Sequence, residues 1–305
     1  MKKDNTTPVK FNSISEFHKL LGFPKPLHPL VSLLNYADIK TPYDELPKIL
    51  LLNFYKISYM ESTPEKIKYG QSYYDFDEGG LSFISPNQII SCAELEESYS
   101  GFTLLIHPDF IRNHTLITRI NKFGFFSYSS NEALFLSDKE RLIIFSVFAN
   151  IREELNTNID DFSQDVVISY IEVLLNYSKR FYKRQFITRK AASSDLVARM
   201  EDLLNNHFDQ EDASPDGILT VEYLASKLNV SPRYLSDMLR SQTGQNAQQH
   251  IHDKLIEKAK EYLTATNLSV SEIAYRLGFE HSQSFNKLFK KKTNHTPIEF
   301  KQTFN

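Results

Sequence analysis

At 305 residues, with 41% hydrophobic and 24% charged side chains, the chain has the composition of a soluble globular protein and room for two domains. Its longest apolar stretches, such as Ile49–Phe54, are too short to cross a bilayer, and no apolar segment follows Lys2 and Lys3 as a signal peptide would require. The single Cys92 excludes an intrachain disulfide and a multi-cysteine zinc site. We therefore expect a reducing, cytoplasmic compartment and no membrane partner.

Positive charge is concentrated near the C-terminus. Residues 1–192 carry 22 basic and 23 acidic side chains, residues 193–219 carry one and seven, and residues 220–305 carry 12 and 8. The net charges of these segments are therefore −1, −6 and +4, which sum to the −3 of the whole chain. A modestly positive C-terminal domain is suited to phosphate contact, although ordinary solvated charge would give the same count.

The first half of the chain favours β structure. Residues 45–106 contain the apolar and aromatic segment Ile49–Tyr59, the alternating segment Leu81–Ile84 and the strand-like segment Gly101–Ile106, with turn signals between them. Many short strands at this spacing predict an antiparallel sandwich or barrel.

Apolar residues change to helical spacing from about Ser137. This spacing predicts two helices, roughly 137–155 and 161–184. The second helix is apolar on more than one face, which is typical of a helix buried in its own domain or against a partner. We therefore predict a homodimer through the 161–184 helix. The small, polar segment 187–195 is interpreted as a linker.

An internal repeat between residues 220 and 294 is the strongest signal in the sequence. The segment 220–230 aligns with 269–279 at an offset of 49, and 235–240 aligns with 285–290 at an offset of 50. The duplication predicts two similar structural units in tandem.

Each copy predicts a helix, a tight turn and a second helix. Thr220 and Ser269 are typical N-cap residues, while Asn229 and Gly278 can adopt the positive φ that ends a helix. The second helix of each copy carries one apolar stripe at i, i+4. The stripes are Leu235 with Leu239, and Phe285 with Phe289. This layout places a second helix in the major groove of DNA.

An amphipathic helix, Gln248–Leu263, is predicted between the two copies. Its ~16 residues would span ~24 Å, which together with flanking turns can hold two recognition helices about one DNA turn, ~34 Å, apart. The two helix-turn-helix units then occupy 220–244 and 269–294. A helical bundle with two similar hairpins and no role on DNA is the structural alternative.

These residues resemble the AraC/XylS family of transcription regulators. The markers are Ile273–Phe279, Ser284–Lys291, Thr296–Phe300 and, on the intervening helix, Lys254–Lys260. The resemblance covers about 196–305. Asn294 stands where the family usually has glycine, and it too can adopt the left-handed conformation. An arginine is more usual in the family near Lys254.

The N-terminal half is similar to the family's cupin-like sensor domain through Leu104–Phe110 and the helices that follow. The resemblance implies an α+β chain of two domains. The first, 1–190, would be a cupin-like antiparallel β-barrel with dimerisation helices. The second, 191–305, would be an all-α, homeodomain-like domain with tandem helix-turn-helix units. The implied function is sequence-specific regulation of transcription on double-stranded DNA, modulated by a small-molecule effector in the first domain, with RNA polymerase as a further candidate partner.

Outward-facing residues of the two second helices are the candidate DNA contacts. The candidate base contacts are Arg233, Ser236, Asp237, Ser282, Gln283, Asn286 and Lys287, and the candidate phosphate contacts are Arg240, Lys290, Lys291 and Lys292. Glutamine and asparagine can pair with adenine, and lysine can donate to guanine. Asp237 is unusual, because a carboxylate repels phosphate and is useful only opposite a cytosine amino group; a solvated charge or an intramolecular partner is the alternative.

The sequence contains no nucleophile–base constellation and no phosphate loop. His107 and His114 lack the His-x-His spacing of metal-binding cupins, and His250 and His252 would diverge on a helix. We therefore expect no metal, no cofactor and no enzymatic activity. The candidate ligand-pocket residues are Tyr73, Tyr74, Phe76 and Phe83, with plain core packing as the alternative.

Two other classes of function stay open at this point. One is a small-molecule-binding or metal-dependent cupin with an appended helical interaction domain. The other is a scaffold that uses the hairpins for protein contacts. A metal assay separates the first from a regulator, and salt-dependent DNA binding separates the second.

Overall fold

A computed structural model describes residues 8–42, 45–61, 68–69, 72–73, 79–91, 100–129, 132–157, 160–188, 190–209 and 218–303. The chain divides into two compact units, residues 1–185 and residues 186–305. None of the helices in the described ranges combines the length and the apolar character that crossing a bilayer demands.

The N-terminal unit contains short strands that form three sheets in the described residues. The strands are β1 (Val9–Phe11), β2 (Val31–Asn35), β3 (Ile49–Leu52), β4 (Tyr55–Met60), β5 (Lys68–Tyr69), β6 (Ser72–Tyr73), β7 (Gly80–Ile84), β8 (Ile89–Ser91), β9 (Gly101–Ile106) and β10 (Leu134–Phe135). The largest sheet has the order β10-β7-β4-β9-β2 and is antiparallel throughout. A second sheet has the order β1-β3-β8, and β5 pairs with β6.

The prediction of a closed antiparallel barrel is wrong for the described residues. Closure requires an unbroken ladder of hydrogen bonds around the sheet. In the described part of the chain, the five-stranded sheet ends at β2 on one side and β10 on the other, and β1 runs parallel to β3. Alternating hydrophobicity predicted where the strands lie, but it does not determine which strands pair at the edges. The N-terminal unit is therefore a mixed helix and sheet structure.

The N-terminal unit also contains four α-helices in the described residues. They are α1 (Ile14–Leu20), α2 (Leu116–Ile120), α3 (Asp138–Asn156) and α4 (Ser163–Thr188). The two helices predicted at 137–155 and 161–184 are confirmed as α3 and α4. Buried Tyr59 of β4 packs edge-on against Phe145 of α3, with ring centroids 4.8 Å apart. The odd-numbered positions of β4 thus face α3, and the even-numbered positions lie on the opposite face of the sheet, on the side where α1 packs.

The broad apolar surface of α4 is largely used within its own unit. Val167, Ile168, Ile171, Leu174 and Leu175 are all buried. This accounts for most of the apolar character that predicted a dimer through this helix. Three large apolar side chains in the region stay exposed: Phe162 just before the helix, and Val173 and Ile187 on it.

The C-terminal unit is all helical in the described residues. Its helices are α5 (Lys190–Asp209), α6 (Val221–Leu228), α7 (Pro232–Thr243), α8 (Ala247–Ala265), α9 (Val270–Arg276), α10 (Ser282–Thr293) and α11 (Pro297–Gln302). The segment interpreted as a linker, 187–195, is instead helical from Lys190 onward, and α4 continues to Thr188. Its alanines and serines are small, but alanine is also the strongest helix former and serine tolerates a helix.

We expect Gly101→Ala to destabilise the N-terminal unit strongly. Gly101 has φ +132°, and a Cβ there would lie 2.1 Å from the carbonyl oxygen of Tyr59. The clash falls between the neighbouring strands β4 and β9, where neither backbone can move away, so we expect it to cost ~1–3 kcal/mol of unfolding free energy in addition to the positive-φ penalty. Gly244→Ala is the control, because Gly244 has φ +80° but nothing within 4 Å of a new Cβ. The control should cost only the left-handed penalty, ~1–2 kcal/mol. Urea unfolding monitored by circular dichroism measures both, and an equal or smaller loss for Gly101→Ala would contradict this packing.

Candidate nucleic-acid interface and N-terminal cavity

The first helix-turn-helix unit consists of α6, a tight turn and α7. The Thr220 side chain accepts a hydrogen bond from the Tyr223 backbone and begins α6, and Asn229 ends it in the left-handed conformation at φ 56°. Ser231 then accepts from the Tyr234 backbone, and Pro232 occupies the first turn of α7. Local capping chemistry therefore fixes where both helices begin, as the sequence predicted.

Small and apolar side chains hold α6 against α7. Leu224 and Ala225 of α6 are fully buried, as are Leu235 and Leu239 of α7. The methyl group of Ala225 lets the two helices approach closely. Because the Leu235/Leu239 stripe points inward, the opposite side of α7 faces outward.

The second unit repeats this construction with α9 and α10. Ser269 and Glu272 form the predicted capping box, in which the Ser269 backbone donates to the Glu272 carboxylate at 2.7 Å. These hydrogen bonds lower the pKa of Glu272. The turn passes through Gly278 at φ +86°. Phe285 and Phe289 are fully buried with ring centroids 5.7 Å apart, so they form the apolar stripe of α10.

One long helix, α8, joins the two helix-turn-helix units. Asn246 caps it in a capping box with Gln249, and its inward face buries Ile251, Leu255 and Ala259. At 19 residues it is slightly longer than the predicted 248–263. It packs against the helices of both helix-turn-helix units and against α11, which begins at the Thr296 and Glu299 capping box.

The outer face of α7 carries three of its candidate contacts in one ion-pair cluster. Arg233 Nε donates to Asp237 Oδ2 at 3.1 Å, and Arg240 Nη1 donates to Asp237 Oδ1 at 3.4 Å. The two arginine side chains are 48% and 53% exposed, whereas that of Asp237 is 20% exposed. Ser236 lies on the same helix and is half-buried.

The outer face of α10 is polar and positive. Ser282 is half-buried, and the other candidates on this face are exposed: Gln283, Asn286, Lys287, Lys290, Lys291 and Lys292. Lys292 is held differently from the others, because its ammonium donates to Asp253 of α8 at 2.6 Å. Burial and then the charge of Lys292 lower the pKa of His252, which lies beside this pair.

Sequence reasoning did not find the network around Asp253. That carboxylate also accepts from Gln245 Nε2 at 2.9 Å and so ties the start of α8 to the end of α10. The residues are 39 positions apart in the chain, and no local pattern connects them.

Known proteins are similar to this chain in its C-terminal region. The helix-turn-helix domain family matches residues 224–303. An uncharacterised HTH-type transcriptional regulator in the cgkA 5′ region of Pseudoalteromonas carrageenovora is 35% identical over 100 residues, which are 33% of this chain and 54% of that protein. The HTH-type transcriptional activator RhaS of Klebsiella pneumoniae is 28% identical over 135 residues, 44% of this chain and 45% of RhaS.

Residues 224–303 of this chain form a helix-turn-helix domain similar to that of AraC-type transcription regulators. The resemblance found in the sequence is thereby confirmed. Among solved structures, the C-terminal domain of AraT, a response regulator from Geobacillus stearothermophilus, is 35% identical; the match covers 35% of this chain and 84% of that one, with a TM-score of 0.31. The chain spans about half the length of the curated relatives it matches.

The N-terminal unit encloses a cavity of 280 Å³, close to the lower end of the ~300–1,000 Å³ range of ligand pockets. Its walls are mainly apolar and include Phe17, Leu34 and Phe83. Phe83, one of the candidate pocket residues, also packs against Phe125, with ring centroids 4.3 Å apart. The other candidates are Tyr73, of which only the backbone is described, and Tyr74 and Phe76, which lie outside the described residues.

A row of hydroxyl groups crosses the sheet at this cavity. Ser58 of β4 pairs in register with Ser82 of β7 and Thr103 of β9, and its hydroxyl lies 3.0 Å from that of Thr103. Lys56 lies two residues before Ser58 in β4. Its Nζ donates to Ser58 Oγ at 2.7 Å and to Tyr36 Oη at 3.1 Å. Within the described residues, no carboxylate forms an ion pair with Lys56. One end of the cavity is therefore rich in hydrogen-bond donors.

This polar cluster was missed from the sequence, although a signal was present. The segment was interpreted as apolar and aromatic, yet Lys56 and Ser58 occupy alternate positions of β4. Alternation places both on one face, and that face turns out to be an interior one. No group of three or more His, Cys, Asp or Glu side chains among the described residues is arranged to hold a metal ion.

We expect Ser269→Ala to lower the stability of the C-terminal unit. The substitution removes the acceptor for the Glu272 backbone at the start of α9, and N-cap losses of this kind cost ~0.5–2 kcal/mol. The control is Ser271→Ala, two residues later in the same helix. Ser271 is exposed, so this substitution removes the same hydroxyl group without touching the cap and should be neutral. The measurement is the thermal unfolding midpoint of each variant. Equal midpoints for the two variants would show that the cap contributes nothing.

Proposed function

We propose that this chain is a sequence-specific DNA-binding regulator of transcription, with residues 191–305 as the DNA-binding domain and residues 1–190 as a sensor domain. One observation carries the proposal: α7 and α10 each bury an apolar stripe and expose the opposite polar face. A second helix held in this way can lie in the major groove while the first helix crosses the backbone. The net charge of +4 over 220–305 supports contact with phosphates.

The two outer faces are assigned different tasks. On α10, Asn286 and Lys287 lie one turn before the lysines that end the helix, so they are placed to meet base edges. Lys290 and Lys291 lie farther along and are assigned to the DNA backbone. On α7, Arg233 is the assigned base contact and Arg240 the phosphate contact.

The cavity of the N-terminal unit is the proposed effector site. Its apolar walls suit a molecule with an apolar body, and the ammonium group of Lys56 suits an acceptor group at one end of that molecule. Binding there would affect regulation only if the effector distinguishes two states of the protein. Dimerisation through the 161–184 helix and contact with RNA polymerase stay predictions.

Substitutions on α10 separate base reading from backbone anchoring. We expect Asn286→Ala and Lys287→Ala to weaken binding to the preferred duplex by ~1–3 kcal/mol and to relax preference at one or two base pairs. Lys291→Ala should weaken binding to all duplexes alike. It should also reduce the slope of log affinity against log salt concentration by about one, because one fewer counterion is released. Fluorescence anisotropy at several salt concentrations, on the preferred duplex and its single-mismatch versions, measures both effects.

Lys183→Ala is the matched control for charge, since Lys183 is an exposed residue of α4 outside the C-terminal unit. It should leave base preference and salt dependence unchanged. Unaltered base preferences in both Asn286→Ala and Lys287→Ala would show that α10 is not a sequence reader, even if the protein still binds DNA.

Substitution of Lys56 tests the effector site. Lys56→Met keeps an unbranched side chain of similar length but removes the ammonium donor. We expect compounds that raise the melting temperature of the wild-type protein to carry an acceptor group on an apolar body, and to lose their effect on the Lys56→Met variant. Differential scanning fluorimetry against acidic and neutral metabolites measures this. Compounds that stabilise both proteins equally would place the ligand elsewhere.

A further inference from the structure

The carboxylate of Asp237 is shared by two arginines on the outer face of α7. Arg233 lies four residues before it and Arg240 three residues after it, so all three side chains share one helical face. Each carboxylate oxygen accepts from one guanidinium, at 3.1 Å and 3.4 Å. The aspartate is thus the centre of the cluster, and it is less exposed than either arginine.

Stabilisation of the helix does not explain this cluster. About half of each arginine side chain is exposed to solvent, and ion pairs in such surroundings contribute little to folding. The helix is already held by its buried stripe and by its caps at Ser231 and Gly244. A carboxylate on the face proposed to meet DNA also repels phosphate, so its presence there needs a compensating role.

Direct reading of a base by Asp237 does not fit the geometry either. A cytosine amino group requires an acceptor oxygen at the base edge. Both oxygens of Asp237 already accept from arginines, and reading cytosine would require the carboxylate to give up one of them.

The arginine that Asp237 holds is left with its recognition edge available. Arg233 bonds to Asp237 through Nε, and within the described residues its two terminal Nη atoms have no hydrogen-bond partner. Those two nitrogens are the pair that a guanine O6 and N7 accept from. An arginine side chain loses much rotamer freedom when it orders on DNA, and an ion pair formed beforehand reduces that cost.

We propose that Asp237 is a positioning residue, which sets Arg233 in the conformation that recognises a guanine and draws Arg240 alongside it. The inference rests on the proposed DNA-binding function. In the second unit the aligned position is Lys287, so this device belongs to the first unit alone. Selectivity at one base pair of the first half-site would then depend on a residue that does not touch DNA.

The test uses the full chain and duplexes selected from a random pool by the wild-type protein. Affinities of the wild type, Asp237→Ala, Arg233→Ala and the double variant are measured on the selected duplex, on every single-base change and on random DNA. We expect Asp237→Ala to lose preference for the same guanine that Arg233→Ala loses, by about tenfold or more, and the double variant to lose no more than Arg233→Ala alone. Affinity of Asp237→Ala for random DNA should not fall, since a negative charge has been removed.

Two controls accompany these variants. Asp237→Glu retains the carboxylate and should keep the guanine preference. Glu222→Ala removes an exposed negative charge from α6 and should change no base preference.

Three results would overturn the proposal. Loss of preference for a cytosine at a different position in Asp237→Ala would make Asp237 a direct reader. An unchanged preference at every position, with only a lower melting temperature, would make the cluster merely structural. If the wild type selects no sequence at all, both this inference and the proposed function fail, and that result is distinct from the first two because there the wild type is selective.

Discussion

Burial of the apolar stripes on α7 and α10 is the constraint on which the recognition surface depends. Leu235, Leu239, Phe285 and Phe289 are completely buried, and each such side chain contributes ~1.5–3 kcal/mol on leaving water. Exposed ion pairs on the opposite faces contribute ~0–1 kcal/mol each. The interior therefore determines how each helix is rotated, and the surface residues can differ between the units without altering the fold. This separation allows one hairpin design to be used twice with different outer faces.

The two faces differ in how charge is arranged. On α7 the carboxylate of Asp237 partly neutralises two arginines and restricts where their guanidinium groups lie. On α10 the positive charge is carried by a run of lysines, of which Lys292 is tied to Asp253. An arginine held in place favours selectivity, whereas mobile lysines favour affinity that falls with salt. On the proposed function, the first unit contributes discrimination between sequences, and the second contributes attachment with additional base contacts.

Local chemistry made the C-terminal unit predictable. Ser269 with Glu272, Asn229 and Gly278 each act within a few residues of their own position, so the sequence alone predicts where the helices begin and end. The N-terminal sheets depend instead on pairing between distant segments. Nothing near Val9 in the sequence indicates a parallel partner at Leu50, and that pairing is one reason the barrel prediction was wrong.

Functional residues show the same division. Candidates on the outer faces of α7 and α10 followed from the stripe that each helix buries, because the helical period fixes the opposite face. The contacts that these candidates make, such as Lys292 with Asp253, depend on tertiary packing and were not predictable. The donors at the cavity were missed for a related reason: Lys56 is polar, and only the sheet topology shows that its side of β4 faces inward.

Selection of bound duplexes from a random pool by the purified full chain tests the central claim most directly. Two helix-turn-helix units joined by α8 should enrich duplexes that contain two short motifs centred about one helical turn, ~10 base pairs, apart. Insertion of five base pairs between the motifs would turn one of them to the opposite side of the duplex and should abolish selective binding. Enrichment of no sequence, or of a single motif that binds equally well whatever lies one turn away, would contradict the account.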